Sequence, residues 1–305
     1  MKNNPPPALL CVGRIVKEMI HFPDQVKGPV LGSPPAYCSV AAARQGTVTG
    51  IVTKISPEFP EDLLQPIIRS GVDTTGIIMG NKLTASELIY DAQGNKEIRY
   101  PSMSDSIRAE DIPGAFEGSG LIYVCPMDED VCVEDLAGVV AKGQSSAVDL
   151  GGYGGVHMSK VRRVQFPSLS QLAKDVSSVF KIVKASDEDA ISIFGWDKPQ
   201  EAARILLDCG PDIVVITLGK QGALVSTRNV QWHVPPVPGN AIDTTGGGDT
   251  FMAGFLSEYL RSWDPLQSGR WGCATAICVI EQSGGVLLER MPTREQVQIR
   301  VSHYY

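Results

Sequence analysis

Asp243-Thr244-Thr245-Gly246-Gly247-Gly248-Asp249-Thr250-Phe251 places three consecutive glycines directly before a carboxylate and an apolar run. Glycines free the backbone to turn several N–H groups onto one concave surface. Apolar residues at 251, 252, 255, 256, 259 and 260 recur at helical spacing, so the glycines lead straight into a helix. The positive end of that helix adds to the N–H groups, and the product is a cradle for an anion. Asp249 stands at its mouth, where a carboxylate takes a proton from an attacking hydroxyl while the N–H groups hold phosphoryl charge. The chemistry indicated is phosphoryl transfer to an alcohol. A plain glycine turn with Asp249 as a helix cap is the competing reading.

At 305 residues, 43% apolar and 20% charged, the chain has the material for one large α/β unit with a small appendage. A net charge of −7 and a pI near 5.2 argue against nucleic acid or an anionic membrane as partner. Seven cysteines, an odd number with no C-x-x-C pair, suggest neither a disulfide framework nor a zinc site. They read as reduced thiols of a cytoplasmic protein, with Cys38 and Cys273 placed to line a site. The first residues lack a signal-peptide core, and no apolar run reaches the length of a membrane span.

Apolar runs at 8–13, 120–125, 146–150, 181–184 and 213–218 alternate with helical stretches at 134–142, 169–179 and 199–209. Strand and helix in alternation predict crossover connections and a doubly wound, mostly parallel α/β sheet. Two segments, about 14–35 and 84–101, break the rhythm. The second carries β-type runs on either side of Gln93-Gly94-Asn95, a hairpin signal, and predicts a small added sheet.

The stretch 243–249 resembles the D-T-x-G-A-G-D motif of the PfkB/ribokinase family of carbohydrate and nucleoside kinases, with Gly247 where the family usually has Ala. The resemblance implies a single ribokinase-like domain over 1–305 whose two inserted segments form a lid over the substrate. It implies ATP and Mg2+ as cofactors and leaves a monovalent cation open. It makes Asp249 the base and Gly246, Gly247 and Gly248 the anion hole, with Asp243 and Thr244 supporting the loop and the nucleotide phosphates. Further motifs are degraded. Gly32-Ser-Pro-Pro-Ala-Tyr37 resembles G-G-x-x-A-N, so Gly32, Ser33 and Tyr37 become substrate-binding candidates, Tyr37 either stacking on a ring or closing the pocket. Glu18 stands where an Asp commonly binds substrate hydroxyls, and Arg14 is a further candidate; an exposed Glu on a lid strand is the alternative for Glu18. Ser186 and Asp189 stand for N-x-x-E, with Asp189 ordering Mg2+ through water, although the same spacing is a capping box.

Thr217-Leu-Gly219-Lys-Gln-Gly222 resembles a nucleotide turn and is not a Walker A loop. Gly272 and Cys273 fall on the small-residue helix that lies against adenine in relatives. Gly151-Gly-Tyr-Gly-Gly155 follows a strand end, where α/β ligand sites gather. The four histidines show no metal-ligand spacing and read as incidental. The function implied is transfer of the ATP γ-phosphate to a small sugar, a cyclic polyol of inositol type or a nucleoside. A nucleoside kinase is the narrower alternative, and a non-catalytic sugar- or nucleotide-binding regulatory relative would fit the departures at Tyr37, Ser186 and Asp189. A homodimer through exposed lid edges is compatible with such a sheet.

Overall fold

The structure, a computed structural model, describes residues 5–92 and 96–305. In chain order its strands are β1 (Leu9–Val12), β2 (Val16–His21), β3 (Val26–Gly32), β4 (Thr49–Ile55), β5 (Asp73–Met79), β6 (Ala85–Tyr90) and β7 (Lys96–Ser102). They continue as β8 (Leu121–Val124), β9 (Ser146–Asp149), β10 (Ile182–Ser186), β11 (Ile213–Thr217), β12 (Ala223–Ser226) and β13 (Gln231–Val234). Nine of them make one sheet in the order β13-β12-β11-β10-β9-β8-β1-β4-β5. Neighbours from β11 to β5 are parallel, and β12 and β13 close one edge as an antiparallel hairpin.

Both faces of that sheet are covered, which explains the unbroken apolar runs. Alternate residues go to opposite sides: Leu9, Cys11, Ile213 and Val215 join one buried cluster, Leu10, Val12, Val214 and Ile216 the other. The helices Pro34–Arg44, Gly247–Ser262, Pro265–Ile280 and Arg294–Val301 supply the first cluster; Leu169–Ser177 and Pro199–Leu207 supply the second. The helix expected over 134–142 is shorter, a 3-10 turn followed by Leu136–Val140. Gly138 weakens its interior, and a Cβ there would come within 2.9 Å of Ala109.

The two irregular segments pair with each other. β2 and β3 run antiparallel, β2 and β6 parallel, and β6 and β7 antiparallel, giving a separate four-stranded sheet in the order β3-β2-β6-β7. The predicted turn Gln93-Gly94-Asn95 between β6 and β7 lies outside the described residues. Among the described residues no helix is long and apolar enough to cross a membrane, and the seven cysteines are free thiols.

Candidate active site

Gly246 opens the helix Gly247–Ser262 from the left-handed region, at φ 78°. A methyl there would sit 2.4 Å from the Tyr37 ring, so both the dihedral and the space require glycine. Asp249 falls in the first helical turn and is 9% exposed. Thr250 locks the turn by donating its hydroxyl to the Gly246 carbonyl at 2.7 Å. Behind the loop, the Asp243 carboxylate accepts from the Thr245 N–H at 3.0 Å, the Ser283 hydroxyl at 3.1 Å and the Gly284 N–H at 3.2 Å. Burial pushes the Asp243 carboxyl up, but these hydrogen bonds and the Arg290 charge outweigh it and hold it below the usual carboxylate value.

A cavity of about 600 Å³ runs from the four-stranded sheet to the β11–β12 turn. Its middle is walled by Thr244, Gly246, Gly247, Gly248 and Asp249. Thr217, Gly219, Gly222 and Cys273 line one end, together with the segment 236–239 and the helix Pro265–Ile280. Glu18, Ser33, Leu88, Tyr90, Ile98, Met127, Val156 and His157 line the other. The four-stranded sheet rests on the loop, since the Tyr90 hydroxyl meets the Thr245 hydroxyl at 3.1 Å and the Tyr90 ring stacks on Phe22 at 5.3 Å.

Several expected residues sit differently from their sequence reading. Glu18 is 5% exposed and takes a hydrogen bond from Ser86 at 3.0 Å, so it is not a solvated lid residue. Ser33 has φ 96°, a value suited to glycine; the residue lines the cavity, and its buried hydroxyl has no partner among the described residues. Tyr37 is 1% exposed; its ring lies under Gly246 and its hydroxyl accepts from Arg290 at 3.2 Å, so it closes the wall from behind. Gly32 abuts the Glu18 side chain. Arg14 is not among the cavity residues, because its guanidinium is paired with buried Asp130 at 2.8 Å. Gly272 serves helix packing, its absent Cβ leaving room for the Phe251 ring. Cys38 is fully buried away from the lining, whereas Cys273 reaches it with a thiol that burial pushes up to about 12.

Ser186 and Asp189 form the capping box: the Ser186 hydroxyl accepts from the Asp189 N–H at 3.0 Å, and the Asp189 carboxylate accepts from the Ser186 N–H at 2.7 Å. The other Asp189 oxygen accepts from the Val156 N–H at 2.8 Å, tying the glycine-rich loop after β9 to this corner. The sequence reading missed Lys184. Its ammonium sits 2.9 Å from Asp149 and 3.9 Å from Asp189, and 3.4 Å from where a Gly248 Cβ would stand. Burial alone would lower the Lys184 value, but Asp149, Asp189 and Asp249 raise it above the ordinary lysine value and keep it charged. A lysine inside an otherwise apolar strand was the available signal. His157, read as incidental, also lines the cavity.

The sequence matches the pfkB family carbohydrate kinase pattern over residues 38–292. It is 27% identical over 280 residues to a cytidine kinase from Thermococcus kodakarensis, covering 90% of this chain and 97% of that protein. A putative ribokinase II from E. coli, solved in complex with ATP and Mg2+, superimposes with a TM-score of 0.79 at 18% identity over 97% of this chain and 99% of that one. A double mutant of a fructokinase from Vibrio cholerae O395, solved in its fructose, ADP and potassium ion bound form, gives 0.78 at 19% identity over 98% and 99%. The two structures speak to the fold, which they share with this chain nearly end to end. The family match covers most of the sequence and includes the glycine loop and Asp249, and on that ground the chain belongs to the pfkB family of carbohydrate kinases, the sugar and nucleoside kinases of ribokinase fold.

Proposed function

We propose that the protein transfers the γ-phosphoryl group of ATP, with Mg2+, to a hydroxyl of a small sugar, cyclic polyol or nucleoside. The observation that carries this reading is the placement of the Asp249 carboxylate one turn into a helix whose N-terminal glycines wall the same cavity. Asp249 accepts the proton of the acceptor hydroxyl as that oxygen attacks phosphorus in line. The N–H groups of Gly246 and Gly248 and the Lys184 ammonium hold the charge that develops on the phosphoryl oxygens, while the Gly247 N–H is taken by the Thr244 carbonyl at 3.1 Å and fixes the turn. Bound ATP supplies the electrophilic phosphorus, and bound Mg2+ offsets phosphate charge. Asp187, Glu188 and Asp189 line the cavity beside Lys184, and oxygen donors of this kind suit a hard cation held through its waters and the phosphates. Tyr90, seated on Thr245, helps the four-stranded sheet exclude water as a lid.

A nucleoside acceptor is favoured by one observation. Leu88, Ile98, Met127 and Val156 give the lid end an apolar wall suited to a base, while Ser33 and Glu18 offer polar groups for ribose hydroxyls. The likeness to a cytidine kinase points the same way. The test is phosphorylation of a panel of nucleosides, pentoses, hexoses and inositols with ATP, using the parent and Asp249→Asn. Loss of the general base is expected to lower kcat by about 10²–10⁴-fold with little change in ATP affinity. A variant as fast as the parent refutes the role of Asp249. A parent that binds members of the panel and phosphorylates none of them supports the regulatory reading instead.

A further inference from the structure

Arg290 is 1% exposed, and its guanidinium is enclosed by main-chain oxygens. Nε donates to the carbonyls of Val279 at 3.1 Å and Gln282 at 3.2 Å. Nη1 donates to the carbonyls of Gly284 and, at 3.2 Å, Gly285. Nη2 donates to those of Asp243 at 3.3 Å and Thr245 at 3.1 Å. Among the described residues no carboxylate forms an ion pair with it. A buried charge with no carboxylate in ion-pair contact is costly unless dipoles meet it, and carbonyls from two chain segments, 279–285 and 243–245, do so here.

A ring of carbonyl oxygens is cation-binding chemistry. Two of its members, Asp243 and Thr245, lie in the loop that runs into Gly246–Gly248, so whatever cation fills the ring also fixes the anion cradle. A monovalent metal ion at this position would need the same carbonyls, and the guanidinium holds them. We propose that Arg290 is a tethered cation standing in for a monovalent metal ion, a positioning residue that makes the phosphoryl-transfer centre independent of K+ and Na+.

The inference rests on the kinase reading for its activity arm and on ion binding alone for its second arm. Parent turnover in potassium, sodium, caesium and tetramethylammonium chlorides of equal ionic strength is expected to vary by less than about twofold, screening being held constant. Arg290→Ala in tetramethylammonium is expected to lose about 10²-fold in kcat as the cradle shifts, with a smaller change in KM for the acceptor. K+ or low-millimolar guanidinium is expected to restore it, and Arg290→Lys to stay active in every salt. Independently of turnover, K+ should raise the Tm of Arg290→Ala over tetramethylammonium and leave that of the parent unchanged. A parent that requires K+, or whose Tm rises specifically with K+, overturns the proposal. So does a folded Arg290→Ala that is indifferent to added cations. If Arg290→Ala does not fold, the parent and Arg290→Lys measurements still decide the question. Absence of any acceptor turnover would count against the kinase reading only, with the Tm arm left to judge Arg290.

Discussion

Gly246→Ala concentrates two separable penalties at one atom. The residue sits at φ 78°, where an L side chain costs roughly 1–2 kcal/mol. The new methyl would also stand 2.4, 2.6 and 2.7 Å from three atoms of the Tyr37 ring, which is itself pinned by Arg290 and cannot swing away freely. Overpacking of that kind costs about 1–3 kcal/mol. Together they predict a loss of about 2–5 kcal/mol, and a Tm lower by about 5–15 °C. Gly247→Ala is the internal control: φ there is helical and the methyl meets only Ile280, at 3.1 Å. It should stay within about 1 kcal/mol of the parent. The assay is thermal unfolding of both variants alongside steady-state kinetics, with Tyr37→Leu added to Gly246→Ala. Removing the ring should recover the packing part of the loss and leave the dihedral part, so the two substitutions will not add. Equal stability for Gly246→Ala and Gly247→Ala would refute the argument, and so would strict additivity with Tyr37→Leu.

Lys184→Met removes the partner of buried Asp149 and is expected to destabilise by about 3–5 kcal/mol, because it strands a buried carboxylate. Lys184→Met combined with Asp149→Asn should recover much of that stability but not kcat; recovery of both would show that Lys184 only packs. The pH dependence follows from the same corner. Asp243 and Asp189 are held below the usual carboxylate value, so their contribution is fully present above pH about 4 and is lost as pH falls through the folded values. Lys184 is raised, so its contribution is present below pH about 10 and is lost only in stronger alkali. The stability gap between the parent and Asp243→Asn, measured by denaturant unfolding, should stay flat from pH 5 to pH 9. Shrinkage of that gap near neutrality would contradict the assignment.

What consecutive residues encode was readable from the chain. The run 243–251 contains its own turn, helix start and carboxylate, because glycine's dihedral freedom and helical periodicity are local properties. Likewise, strands buried on both faces announce themselves as apolar runs, and the two departures from that rhythm became the second sheet. Local pattern was ambiguous at Ser186 and Asp189, where the capping box formed and brought Asp189 to the cavity edge as well. Separation in sequence hid the rest. Nothing near Arg14 announces that Asp130, 116 residues on, claims its guanidinium. Arg290 follows a Gly-Gly turn as an unremarked arginine, yet it joins Tyr37, 253 residues away, to the loop at Asp243 and Thr245. By itself, then, the sequence determined the α/β architecture and the glycine-loop-to-helix element, since both follow from backbone preferences of neighbouring residues. Only the tertiary structure decided which charges surround that element, because a buried cation is defined by the carbonyls and carboxylates that distant segments bring to it.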